Sequence, residues 1–248
     1  MLYQLILLQL TAHLLADFIL QPQKWSDRKS EKILSLHHFL HALVVFGTSY
    51  LLSFDYGFWM AALTITFLHL LIDCIKSYLL IKYNGRSFLR YLFFVDQSIH
   101  IVILVLVSFL YYHLCGTNFL IGITIKTAAI IAGFILCSKP ANIIIKNIFI
   151  LYQIAIPLVF SPEIPNTNNA IATATDLSLP NAGRLIGLME RFMTLALILS
   201  GQYAAVGLII AAKSILRFND TQKNEYILVG TMLSFGIAIL SAILIANI

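Results

Sequence analysis

Residues 58–81 read FWMAALTITFLHLLIDCIKSYLLI, a continuous apolar run whose only charged or imidazole side chains are His69, Asp73 and Lys76. A helix needs about 20 such residues to cross the hydrocarbon core of a bilayer, whereas membrane barrel strands alternate over about 10. The run therefore predicts a transmembrane helix, and the chain around it has the same character. Its 248 residues are 60% hydrophobic and 11% charged, with a mean hydropathy of +0.89. Soluble domains carry about 25% charged residues. These figures exclude a soluble globular protein and predict an all-α, polytopic transmembrane helical bundle. The formal net charge of +5 reports loop orientation in such a chain rather than a nucleic-acid partner.

Working outward from residues 58–81, the first span is 2–20, ended by Gln21-Pro22, and the second is 37–54. The fourth is 95–115 and the fifth 119–137. After the Lys139-Pro140 break comes a sixth, 141–160, and then a long Pro/Asn/Thr/Ser-rich loop, 161–182. Residues 183–218 are too long for one span, roughly 54 Å as a helix. Gly201 is a hinge candidate that divides them into 184–200 and 202–218. The last span is 226–248. The expectation is eight or nine membrane segments, one of them re-entrant. They form one transmembrane domain, 1–248, with a four-helix His/Asp half at 1–115 and C-terminal helices at 119–248.

Residues 1–10 lack a basic leader region, so the first span is read as retained. Cys74, Cys115 and Cys137 are widely spaced in apolar runs and read as packing residues.

Lys24, Arg28, Lys29 and Lys32 fall between spans one and two, Lys82, Arg86 and Arg90 between three and four, and Lys139 after five. The intervening connections hold no Lys or Arg. The positive-inside rule then puts the basic loops in the cytoplasm and the N-terminus outside.

Six of the seven histidines precede residue 101. Most stand four residues from a partner: His13 and Asp17, His37 and His41, His69 and Asp73, Asp96 and His100. Residues i and i+4 share a helix face one turn apart, so two side chains can reach one ion. Ionisable groups inside a span are costly, and a functional site is their default reading. With the orientation taken from Lys and Arg alone, all four pairs fall in the cytoplasmic half of the bilayer. Imidazoles and carboxylates without thiolates suit zinc, and also iron or manganese. The expected metal ligands are His13, Asp17, His37, His41, His69, Asp73, Asp96 and His100. The aspartates Asp17, Asp73 and Asp96 share the catalytic roles of ligand and general base, and the spacing does not divide these roles among them. His38 points about 100° away from His37. Gln21 and Gln97 are candidate hydrogen-bond partners, and Lys76 either stabilises an anion or snorkels to headgroups. A second cluster, Arg184, Glu190, Arg191, Lys213 and Arg217, suits a phosphate group, or is an internal ion pair with basic residues at a helix end.

The stretches 13–21 (HLLADFILQ), 69–76 (HLLIDCIK) and 96–100 (DQSIH) resemble a family of bacterial integral-membrane proteins of unknown function. Glu190-Arg191 and 213–218 (KSILRF) fit the same resemblance. More distantly, the HxxxD pattern is similar to that of bacterial inner-membrane proteins labelled metal-dependent hydrolases, which implies a metal and hydrolytic chemistry. The functional expectation is a metal-dependent hydrolase of the bacterial inner membrane acting on a lipid-like or phosphate-bearing substrate. A divalent-cation or proton-coupled transporter using the same residues, and a membrane scaffold, are the alternatives.

Overall fold

A computed structural model describes residues 1–83, 87–120, 122–154, 182–217 and 224–248. The expected loop at 161–182 except Ala182, the last six residues of expected span six (155–160) and Arg86 lie outside these residues. The described residues form ten helices: α1 (Leu2–Leu14), α2 (Gln23–Glu31), α3 (Leu36–Ser53), α4 (Trp59–Lys82), α5 (Leu89–Cys115), α6 (Ile125–Cys137), α7 (Lys139–Leu151), α8 (Ala182–Leu199), α9 (Tyr203–Arg217) and α10 (Asn224–Ala246). A π-helical turn, Leu15–Ile19, extends α1.

The helices of the first half turn their polar stripe inward. α4 buries Ala62, Ile65, His69, Asp73 and Ser77. α5 buries Asp96, His100, Leu104, Ser108 and Tyr111. The same helices expose Phe67, Leu71, Ile75, Val102, Leu106 and Phe109. A soluble protein does the reverse. Polar groups inside and large apolar groups outside is the pattern of a bundle solvated by lipid.

Four helical runs are long and apolar enough to cross a membrane: Leu2–Ile19, Tyr56–Lys82, Leu89–Cys115 and Leu228–Ala246. A fifth exists if α6 and α7, bent by 49°, count as one. This corrects the expected eight or nine segments. Helices α6 and α7 have 13 residues each, about 20 Å apiece, so neither spans alone. Expected span two is α3, which carries His37, His38 and His41 and is not among those four runs. α8 carries Arg184, Glu190 and Arg191, and α9 has only 15 residues. The break expected at Gly201 is present, and that glycine adopts φ +75°.

α1 and α6 run side by side in the same direction. Gln4 Nε2 donates to the Ile123 carbonyl near one end (2.5 Å) and Lys139 Nζ to the Gln21 carbonyl near the other (3.3 Å). Small residues on α6, Ala128, Ala129, Ala132 and Gly133, allow close approach. A Cβ on Gly133 would lie 2.6 Å from Ile245 Cδ1 of α10.

The bend between α6 and α7 has a specific support. Arg191 of α8, 2% exposed, donates from Nε to the Cys137 carbonyl (2.6 Å) and from Nη2 to Asn142 Oδ1 (2.7 Å). Its Nη1 donates to Ser234 Oγ (2.9 Å). A helix C-terminus leaves carbonyls without donors and carries partial negative charge, and a guanidinium meets both needs. Replacing Arg191 with Met is expected to lower stability by about 2–5 kcal/mol, against about 1 for Ser234→Ala. Unfolding midpoints in detergent measure the difference, and equal midpoints for Arg191→Met and the parent protein contradict the assignment.

Candidate functional site

The inward stripes of α1, α3, α4 and α5 meet in one layer of side chains. α1 contributes His13 and, from its π turn, Asp17. π turns recur at functional sites because the extra residue re-aims side chains; here Leu20 N–H bonds the Leu15 carbonyl at 2.8 Å. Asp17 Oδ1 lies 3.5 Å from His13 Nδ1, 3.4 Å from His41 Nε2 and 3.5 Å from His69 Nε2. Asp73 Oδ2 lies 3.8 Å from the same nitrogens of His41 and His69. The two Nε2 atoms are themselves 3.0 Å apart. His69 is at the middle, its ring centroid 4.0 Å from that of His100 and 5.1 Å from that of His41.

Hydrogen bonds fix two of the tautomers. Gln97 Nε2 donates to Asp96 Oδ2 (3.1 Å), which turns its carbonyl oxygen to His13 Nε2 (3.2 Å). His13 Nε2 therefore carries the proton, and its Nδ1 lone pair faces the Asp17 oxygen. His100 Nδ1 lies 2.8 Å from the Asp96 backbone carbonyl and donates to it, which leaves Nε2 as an acceptor. That Nε2, Asp17 Oδ1 and Asp96 Oδ1 are buried and make no hydrogen bond. Buried acceptors turned on one another are costly unless a cation lies among them. Three triads bring one ligand atom each within 4.8 Å of one another: His13, Asp17 and His69; His41, His69 and Asp73; Asp73, Asp96 and His100. Seven of the eight expected metal-ligand residues are thus brought together.

His37 is not in the layer. It lies against Trp25 of α2 with ring centroids 6.4 Å apart. His38 is fully buried behind the layer, where Nδ1 meets Ser35 and Nε2 meets Ser77 Oγ at 3.2 Å. His113 is a remote neighbour of Phe109.

Two lysines reach the layer. Lys76 donates to Asp96 Oδ2 (2.7 Å) and Lys29 to Asp73 Oδ2 (2.5 Å). Lys29 escapes a reading by sequence, because its segment looks like a solvated basic loop. The docking of α2, a polar helix of nine residues, against α3 and α4 carries it inward. With its amide oriented to satisfy both atoms, Gln21 donates to the Asp17 carbonyl (3.2 Å) and accepts from Lys29 (3.1 Å).

The other end of the bundle shows what a structural aspartate looks like in this fold. Asp55, also buried, accepts from Gly57 N (2.9 Å), Tyr111 Oη (3.0 Å) and Asn118 N (3.0 Å). Its carboxylate is fully engaged by donors. Asp17 Oδ1 is not.

A cavity of about 360 Å³ adjoins the layer, with Asp17, Asp73 and Gln97 in its lining. On the opposite side of His13, His69 and His100 is a pocket of about 20 Å³, walled by Ala12, Val45, Ile65 and Leu104 together with Gln9, Thr48 and Ser49. That is room for about one water.

The second expected cluster stands apart. Glu190 pairs with Lys213, and Arg191 is spent on the α6–α7 junction. Both line a separate cavity of about 240 Å³. Arg184 is exposed, and Arg217 closes α9 with its side chain outside the described residues. Among the described residues, this cluster makes no ion pair with the His/Asp layer.

Residues 5–127 match the family model described as "Protein of unknown function (DUF3307)". The matched stretch runs from α1 into the first turn of α6 and contains every His and Asp of the layer. No curated protein and no solved structure matches the chain.

Histidine-selective ¹⁵N spectra of the metal-free protein should show His13 protonated at Nε2 and His100 at Nδ1. The opposite tautomer at either residue contradicts the acceptor-rich layer described above.

Proposed function

We propose that the protein is a metal-dependent hydrolase embedded in the bacterial inner membrane, with its N-terminus outside and the His/Asp layer in the cytoplasmic half. The observation that carries this reading is Asp17 Oδ1, buried among three imidazole nitrogens at 3.4–3.5 Å and bonded to none. His13, Asp17, His41 and His69 form one ligand set. Asp73, Asp96 and His100 form a second beside it. Nitrogen and carboxylate donors without thiolate suit zinc, with iron or manganese as the other candidates. A metal held there would lower the pKa of a bound water toward about 7 and polarise a phosphoryl or carbonyl oxygen.

The chain's own residues supply the rest. Asp73 belongs to both the layer and the cavity wall, and in this reading it is the ligand of the second set that faces a bound substrate. Gln97 holds the His13 ring so that Nδ1 points inward. Ser35 and Ser77 hold His38 behind the layer and so set the first turn of α3.

A transporter needs the polar path to continue past the layer. The pocket on that side has room for about one water, which argues for an enzyme. A scaffold role would favour carboxylates satisfied as Asp55 is, not unpartnered as Asp17 Oδ1 is.

Protein purified without chelators is expected to hold tightly bound divalent metal by elemental analysis. His41→Ala and His69→Ala should each lose at least about tenfold in metal affinity. His37→Ala, four residues from His41 and outside the layer, should keep the full content. A metal-free parent protein, or equal retention by His41→Ala and His37→Ala, overturns the reading.

A further inference from the structure

The cavity beside the layer is built by five elements, the π turn contributing Asp17 and Phe18. α2 presents Gln23, Ser26, Lys29 and Ser30, and the ends of α4 and α5 add Asp73, Lys76, Leu80, Leu89 and Phe93. α7 closes the remaining side with Lys139, Ile143, Lys146, Asn147 and Ile150. The spacing on α7, i, i+4, i+7, i+8 and i+11, is one helix face. Its opposite face, Asn142, Ile145 and Phe149, lines the separate cavity of Glu190 and Arg191. α7 is therefore a partition, and the side facing the layer carries its two lysines.

The charges in this cavity do not balance. Four lysines line it, Lys29, Lys76, Lys139 and Lys146, against two carboxylates, Asp17 and Asp73. Lys29 and Lys76 already neutralise Asp73 and Asp96. Lys139 bonds only a backbone carbonyl, that of Gln21. Neither Lys139 nor Lys146 has an ion-pair partner among the described residues. The rest of the lining includes an apolar strip, Leu80, Leu89, Leu92, Phe93, Ile143 and Ile150. A concave site with unpaired cations on α7 and apolar side chains from α4, α5 and α7 fits a ligand with an anionic head and a hydrocarbon body.

We propose that this cavity binds a phosphate monoester, with Lys139 and Lys146 holding the phosphate and the apolar strip holding an alkyl chain. The phosphate site is thus on α7, not at Lys213 and Arg217. Its role as the substrate site rests on the hydrolase reading; its ability to bind a phosphate does not. A phosphate monoester presents three acceptor oxygens and nearly two charges at neutral pH, so one head can accept from both Lys139 and Lys146.

The test is a ³¹P NMR titration of the full chain in maltoside micelles with dodecyl phosphate, and in parallel with inorganic phosphate. Metal content is measured on every sample. The parent protein should bind dodecyl phosphate, and the double variant Lys139→Ala/Lys146→Ala should bind it at least about tenfold more weakly. Lys139→Arg/Lys146→Arg should stay within about threefold, since the charge is kept. Both variants should retain the parent's metal. Lysine-dependent binding of dodecyl phosphate alone supports the proposal with a lipid as source; equal binding of inorganic phosphate supports it with a free phosphate as source. Undiminished binding by the double Ala variant overturns it, as does an equal loss from Lys32→Ala on the exposed end of α2. A metal-free parent protein that still shows lysine-dependent binding refutes the hydrolase reading and leaves the phosphate site standing.

Discussion

One oxygen of Asp17 meets imidazoles of α1, α3 and α4, and the bundle is arranged around that meeting. Placing a charged group in a bilayer centre costs about 2.5 kcal/mol or more, so such groups must face one another. Each helix of the first half can satisfy this only by rotating its ionisable stripe inward and its Phe, Leu and Ile side chains outward. The rotation fixes the helix faces, the faces fix the neighbours, and Gln9 with Ser49 locks α1 to α3 one turn above His13 through two reciprocal bonds. The polar layer therefore acts as the registration mark of a fold whose apolar contacts alone would allow many rotations.

The two ends of that bundle obey opposite rules. Around Asp55 both carboxylate oxygens have donors, and the turn is tight enough that a Cβ on Gly57 would lie 2.7 Å from Tyr111 Oη. Around Asp17 and His100 the acceptors outnumber the donors. A chain able to build the first arrangement has not done so in the second. That contrast within one molecule is why the layer reads as a place for a cation and not as glue.

The layer was legible because both of its signals are local. Hydropathy marks the helix, and a spacing of four marks the face, so His13 with Asp17, His69 with Asp73 and Asp96 with His100 could be picked out before any packing was known. His37 shows where the rule ends. It shares a face with His41, but one turn nearer the start of α3 the neighbour is Trp25 of α2 and no longer the layer. Lys29 was invisible for the complementary reason, since its partner Asp73 is 44 positions away and only the docking of α2 joins them. Arg191 has the chemistry of an anion ligand, yet its partners are backbone carbonyls at a bend. The same bend turned two expected spans into at most one.

That bend also separates two kinds of change. The layer is held by α1, α3, α4 and α5, while the far wall of the cavity is α7, whose angle is held by Arg191 from α8 and Ser234 from α10. Substitutions around Asn142 or Ser234 can tilt the wall, and so widen or narrow the cavity, with every His and Asp left in place. Under the proposed function, reactivity and selectivity are thus carried by different parts of the chain. The second half sets the aperture through which the first half meets its ligand.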